Sequence, residues 1–488
     1  MGAAAVTREK EPFFTRDRVF YGTLFPLLLG LTLQNLIAYS VNMADNIMLG
    51  SYSQNALSGA ACVNQVFFIV QQLGLCIGDV LVMLGTQYWG QGRTGPIRRL
   101  AGIALRFGTA CGLIIVAACQ LFPDRILSMF TTSAEIVAEG RVYMRIVSWT
   151  FLFFIVTNVF MAALRAVKTV RISFVISVIS LVINVGINWC LIFGRYGLPE
   201  MGIAGAAVGT LAARAAELLV ILYYLKNIDR KLCLFGGKES FADNAGDRAA
   251  GNAGGRAGGS AAESAAGLSA LRADFFRTSV PVLLGRMTWA ITTPLQTVIL
   301  GHLSSDAIAA NSVATTFYQY LKVVVTAMAS VSGIMIGSAI GRGDRKALHA
   351  EARTLCVIDV AIGAVLAALL FVLRGPLLSL YSLNDSAMVL ADQLLVIMSF
   401  VMLGMSYQMP VGSGIIRGGG DAKYSMIVNN VSVWCLVVPL SLLSAFVWKW
   451  PVPMVVLCLQ SDQILKGIPI FLRFRSYKWV KKLTRDNV

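Results

Sequence analysis

GSYSQNALSGAACVNQVFFIVQQLGLCIGDVLVMLGTQYWGQG (50–92) lies over GHLSSDAIAANSVATTFYQYLKVVVTAMASVSGIMIGSAIGRG (301–343) without a gap. Gly50 meets Gly301, Ser53 meets Ser304, Ala56 meets Ala307, Gly90 meets Gly341 and Gly92 meets Gly343. Two flanking stretches repeat in the same order. FPLLLG (25–30) matches VPVLLG (280–285), with Pro26 over Pro281, and Arg165 and Ser173 match Arg417 and Ser425. Self-similarity at about half the chain's length marks a duplicated unit.

The content of the unit follows from composition. The 488 residues are 57% hydrophobic and 14% charged, whereas soluble domains run at about 25% charged. A soluble enzyme is excluded. A bilayer core takes about 20 apolar residues of helix, and twelve runs reach that length: 19–49, 57–89, 100–122, 138–164, 172–193, 202–225, 276–301, 308–340, 353–373, 388–411, 424–446 and 452–471. The runs 57–89 and 308–340 exceed a straight span, so tilt or protrusion is expected. No run has the alternation of a β-barrel strand. The reading is an all-α integral membrane protein of twelve transmembrane helices in two pseudo-symmetric six-helix lobes.

Charge orients it. Lys and Arg number 41 against 25 Asp and Glu, an excess that on a soluble module would suggest nucleic acid. Here one alternating set of tails and loops (1–18, 90–101, 165–171, 226–277, 341–353, 412–423, 473–488) holds 30 basic residues and the other set holds 5. The positive-inside rule places both termini in the cytoplasm, as an even number of spans requires. The expected location is the cell inner membrane. The expected organisation is a cytoplasmic tail (1–18), an N-lobe (19–225), a cytoplasmic linker (226–273), a C-lobe (274–472) and a basic tail (473–488). The Gly, Ala and Ser of 237–270 suit a flexible linker.

Other chemistries find little material. Nine cysteines lie scattered without a C-x-x-C pair, and two histidines, His302 and His349, leave a metal site almost without ligands. No cofactor is expected. The N-terminal stretch lacks a signal-peptide pattern, and the first apolar run reads as a retained span. The loops G-Q-G-R (90–93) and G-R-G-D (341–344) lack the G-K-[ST] of a P-loop, so they read as turns and no nucleotide is expected. Neither is a nucleic acid. The partners expected are the bilayer and small organic cations, and the protein is read as a monomer.

Several segments resemble one family. DNIMLG with ALSGA (45–60), the two glycine loops, LRAVK (164–168), NVGINWCLIFG (184–194), GIAGAAVGTLAAR (202–214), IRGGGDAKYSM (416–426) and RFRSYKW (473–479) together resemble the multidrug and toxic compound extrusion (MATE) transporters, over nearly the whole chain. The resemblance implies two V-shaped lobes and antiport of a proton or Na⁺ against amphipathic organic cations.

An ion-driven exporter needs a group whose charge the ion cancels, and a carboxylate in a poorly solvated bundle suits. An intramembrane acid is a functional candidate by default. Asp45 is the main one, and the family carries a first-helix acid in this motif. Its mate in the repeat is Gln296, so the acid belongs to the N-lobe. Asn158, Asn184, Asn188 and Thr210 are expected around it, with Asn184 and Asn188 sharing a helix face. Such oxygens suit Na⁺ or would bond a protonated Asp45. Family members near this pattern carry an acid where Asn188 stands here. That departure counts against sodium binding and moves the reading toward protons. Asp79 is a possible second acidic site, for coupling or for substrate. Trp289 and Ser406 stand where some relatives carry C-lobe acids, so a C-lobe coupling acid is not expected. Pro26 and Pro281 are expected to kink spans one and seven for gating.

The function expected is secondary active multidrug export by alternating access. The rival is a flippase for a lipid-linked precursor, which the membrane-embedded Arg106, Arg145, Arg214, Arg286 and Lys322 keep open. An enzyme lacks a catalytic constellation here.

Overall fold

The computed structural model describes residues 14–131, 133–234, 259–303, 305–379 and 384–485. Among these there are helices and turns and no strand. The first six long helices are α1 (Arg18–Tyr52), α2 (Gln54–Gly90), α3 (Gly95–Leu121), α4 (Ala134–Ala166), α5 (Arg171–Ile192) and α6 (Ile203–Asn227). The second six are α7 (Gly259–Gly301), α8 (Ser305–Arg342), α9 (Arg345–Leu378), α10 (Asp385–Ile416), α11 (Ala422–Val447) and α12 (Val452–Arg475). Eleven are long and apolar enough to cross a bilayer, and α7 carries the apolar run 276–301 at its C-terminal end. At 37 and 38 residues, α2 and α8 are about 55 Å long.

Helix starts follow local chemistry. Asp17 accepts from the Val19 N–H at 2.9 Å to open α1, and Asp344 accepts from the Lys346 and Ala347 N–H groups at 3.0 and 3.1 Å to open α9. The glycine loops are turns: Gly92 and Gly343, mates in the repeat, take φ of +74° and +78° at the ends of α2 and α8.

Two features depart from expectation. The helix of α7 begins at Gly259, inside the segment 226–273 assigned to a linker. The reason is the alanine-rich GSAAESAAGLSAL, whose helix propensity the overall glycine content concealed. Linker residues 235–258 lie outside the described residues. The C-lobe helices are also less regular than their mates. Segments Pro410–Ile416 of α10 and Ser432–Val437 and Leu443–Val447 of α11 wind as π-helix, and α12 breaks near Gln460 and Ser461. Pro410 lacks the N–H that would continue an α-helical ladder. Pro26 and Pro281, by contrast, lie inside helices that continue on both sides.

The halves are joined reciprocally. The N-terminal part of α1 packs Phe20, Leu24, Leu27 and Leu31 into a core with Val331, Ile334 and Met335 of α8. Its mate α7 packs Leu271, Phe275 and Val282 into the core built on α2 and α4. Thus each half's first helix leans on the other half's second, on the side that carries both termini. On the opposite side the halves part around a cleft of about 670 Å³ between α1 and α8.

Candidate functional site

The cleft wall is a polar stripe on two helices. Tyr39, Asn42, Met43, Asn46 and Ile47 come from α1, and Asn311, Thr315, Gln319 and Tyr320 from α8. Asn42 and Asn46 are one helical turn apart, and Asn311, Thr315 and Gln319 recur every four residues, so each set shares a face. Tyr320 reaches across the cleft, its hydroxyl 2.9 Å from the Met43 sulfur.

Asp45 occupies the other face of α1, turned into the N-lobe. Asn188 Nδ2 of α5 donates to its Oδ1 at 2.6 Å. Asn188 Nδ2 also lies 3.4 Å from Asn184 Oδ1, and Asn184 Nδ2 donates to Thr210 Oγ1 of α6 at 3.4 Å. Both asparagines are fully buried. The close approach of α5 and α6 depends on glycine: a Cβ at Gly209 would stand 1.9 Å from Asn188 Oδ1, and one at Gly205 would stand 2.7 Å from the Leu191 backbone. A cavity of about 30 Å³ beside Asp45 is lined by Asn42, Asn64, Tyr143, Asn184, Thr210 and Arg214, among others. That volume holds one or two waters or a single small cation. Arg214 is neutralised locally by Glu217, at 2.8 Å. Asp45, Asn184, Asn188 and Thr210 therefore form one chain of polar contacts.

Asn158 does not join them. Its Nδ2 donates to the Gly74 carbonyl at 2.6 Å and its Oδ1 accepts from Arg165 Nη2 at 3.3 Å. Sequence placed it by its apolar context, but its face of α4 points to α2. Gly78 leaves room for it there, since a Cβ would stand 2.7 Å from Asn158 Nδ2. Asp79 is not a lone acid either. Arg286 Nη2 and Nε lie 2.5 and 3.2 Å from its Oδ2, and Arg417 Nη1 lies 3.2 Å away. It is the counter-ion of arginines from the other half.

Two C-lobe acids escaped the sequence reading, which looked for them only at positions 289 and 406. Asp359 of α9 is 2% exposed and accepts from Ser332 at 3.3 Å. Asp462, at the break in α12, accepts from Lys466 Nζ at 2.6 Å, and Lys466 also donates to Asn429 Oδ1 at 2.8 Å. Asp462 and Lys466 stand four apart inside the apolar run 452–471, which was the available signal.

A family model described as MatE matches residues 31–190 and 281–443. A probable multidrug resistance protein NorM from Thermotoga maritima is 21% identical, over 93% of this chain and 92% of the relative. The multidrug resistance protein MdtK of Edwardsiella ictaluri is 23% identical, over 87% of each. Among solved structures, an outward-facing multidrug resistance MATE family transporter of the MOP superfamily superposes with a TM-score of 0.80 at 15% identity. The match covers 95% of this chain and 98% of that one.

Proposed function

The chain belongs to the MatE family, a family of membrane transporters and not of enzymes, and from that premise we propose that it exports amphipathic organic compounds against a driving ion, H⁺ or Na⁺. Its relatives' names support multidrug efflux as the coarse activity. The coupling and the substrate range are our reading.

The observation that carries it is the double duty of α1. One face bears Asp45 beside the small N-lobe cavity; the other bears Tyr39, Met43, Asn46 and Ile47 on the cleft, and Asn42 borders both. A cation arriving at Asp45 cancels the charge that Asn188 Nδ2 is bonded to. Replacing that bond repacks α1 against α5, and the wall of the cleft moves with it. An ion filling a site of 30 Å³ thus changes a space of 670 Å³ without entering it. The oxygens of Asn184 and Thr210 line the cavity beside the acid. They are the donors a sodium ion would use, while an asparagine rather than an acid at position 188 favours the proton. With both termini cytoplasmic, the open cleft faces outward and the basic loops face the negative interior of the cell membrane. Each net charge entering down 100 mV supplies about 2.3 kcal/mol, enough for a roughly fifty-fold gradient of a neutral cargo exchanged one for one. A monovalent cation exchanged one for one moves no net charge, so its export draws on the concentration gradient of the driving ion. The aromatic and amide lining of the cleft suits organic cations. A lipid-linked precursor is the weaker cargo, since the relatives matched over most of the chain are named as multidrug resistance proteins.

Ethidium efflux from proteoliposomes, with proton and sodium gradients imposed separately, tests the reading. Export is expected with one ion and not the other, and Asp45→Asn is expected to abolish it at equal protein incorporation. Efflux by Asp45→Asn at the wild-type rate under the same gradient would overturn the coupling role.

A further inference from the structure

Three guanidiniums and one carboxylate meet between the halves. Arg286 of α7 and Arg417 after α10 bind Asp79 of α2, and Arg286 Nη1 also donates to Gln72 Oε1 at 3.1 Å. Arg165, at the end of α4, reaches toward the same place from Asn158, and its Nε is buried with no partner. Arg165 and Arg417 are mates in the repeat, whereas the mate of Asp79 is Ser330. Duplication therefore supplied the cation twice and the acid once, and Arg286 adds a third cation. The excess is two positive charges, from arginines at the termini-side ends of α4 and α10. Other embedded pairs are balanced, Arg214 by Glu217 and Lys466 by Asp462.

The excess is not sealed off. The side chains of Arg286, Asp79 and Arg417 are 22%, 23% and 25% exposed, and they stand where α2 and α4 of one half meet α7 and α10 of the other. Trp289, one turn beyond Arg286, packs its ring 5.4 Å from that of Phe68 of the other half at a tilt of 50° and carries Lys322 Nζ 5.2 Å from its ring. An aromatic wall thus adjoins the guanidiniums. Charge held between packed helices is costly unless paired, and the guanidinium fork matches the oxygens of a carboxylate or phosphate.

We propose that the Arg286–Arg417–Arg165 cluster is an anion subsite of the interlobe space, taking the carboxylate or phosphate of an amphipathic molecule whose apolar body lies along Trp289 and Phe68. Together with a cleft suited to cations, it makes zwitterionic and acidic amphiphiles part of the substrate range. This deepens the export reading and rests on it for the word substrate. Asp79 is the internal competitor: it occupies the arginines when the subsite is empty and yields them to the ligand.

Binding tests this separately from transport. The full chain is placed in neutral phosphatidylcholine nanodiscs and titrated with pyrenebutyrate, its methyl ester and pyrenebutylammonium, read by energy transfer from tryptophan. Pyrenebutyrate is expected to bind at least tenfold tighter than its ester. Arg286→Gln with Arg417→Gln is expected to erase that preference, while Asp79→Asn is expected to increase it severalfold by removing the competitor. Equal affinity for acid and ester in the wild type, or weaker acid binding in Asp79→Asn, would overturn the proposal even if the double variant failed to fold. Repeating the titration in phosphatidylglycerol separates the sources. A preference that disappears there assigns the site to an anionic headgroup, and one that persists assigns it to the solute. Retained preference without efflux would instead sink the export reading and leave the subsite standing.

Discussion

Gly90 and Gly341, which hold the same place in the two halves, touch each other: a Cβ on either would stand 2.8 Å from the Cα of the other. The contact is reciprocal beyond that pair. A Cβ on Gly90 would meet the Ser338 carbonyl at 2.2 Å, one on Gly341 would meet the Gln87 carbonyl at 2.1 Å, and residues 87 and 338 are themselves mates. One turn deeper Thr86 faces its own mate, Gly337, with a hypothetical Cβ there 2.1 Å from Thr86 Oγ1. Self-complementary contacts of this kind define a two-fold axis, here running between α2 and α8. The cleft is closed on the termini side because nothing larger than hydrogen separates the two backbones.

A side chain at this crossing is therefore expected to prevent closure. Gly90→Val should reduce export at least tenfold at normal membrane abundance. Amide exchange at 84–90 and 335–341 should accelerate, because the two helix ends no longer protect each other. Export at the wild-type rate with unchanged exchange would contradict the crossing.

A second prediction concerns how Asn188 is held. Its Oδ1 is buried without a partner and rests where a Cβ of residue 209 would lie, at 1.9 Å. Gly209→Ala should push the amide off Asp45 while leaving the carboxylate itself in place. The expected result is a several-fold rise in the ion concentration for half-maximal efflux, with cargo binding in the cleft unchanged. Loss of both together would instead indicate that α5 and α6 had come apart.

Much of this was legible in the sequence. The ungapped match of 50–92 with 301–343 carried the duplication, and the axis through Gly90 and Gly341 is its direct consequence. Asn184 and Asn188 were readable as one face because helical spacing fixes faces within a helix. Which face meets which neighbour is a tertiary fact, and there the reading failed. Asn158 turned toward Gly74 because Gly78 makes room for it, and no local pattern reports that clearance. Asp79 read as a possible second coupling or substrate acid, and its ion pairs went unseen because its partners, Arg286 and Arg417, lie more than 200 residues away. The helix within 259–273 was missed for a different reason, namely that glycine content was weighed over the segment as a whole.

The C-terminal tail supplies the last prediction. Beyond Trp479 it leaves the C-lobe and binds the end of α2. Leu483 N–H donates to Gln87 Oε1 at 2.8 Å, Gln87 Nε2 donates to the Lys481 carbonyl at 3.1 Å, and Gln91 Nε2 donates to Thr484 Oγ1 at 2.7 Å. Lys481 also ties the tail to the C-lobe, through its N–H to the Gly419 carbonyl at 2.9 Å and its Nζ to Asp421 at 2.7 Å. Arg473 reaches the other oxygen of Asp421, which is 2% exposed. Residues 481–484 thus bridge the halves beside the Gly90–Gly341 crossing, and opening this side must break them. Removing Asp421 leaves two cations unpaired beside a buried position, so Asp421→Ala should cost about 3 kcal/mol, visible as a lowered unfolding temperature. Ending the chain after Trp479 removes the bridge with less effect on the fold. It should speed amide exchange at 87–93 and shift the population toward the state open on the termini side. If exchange at 87–93 is the same with and without the tail, the bridge does not hold the halves together.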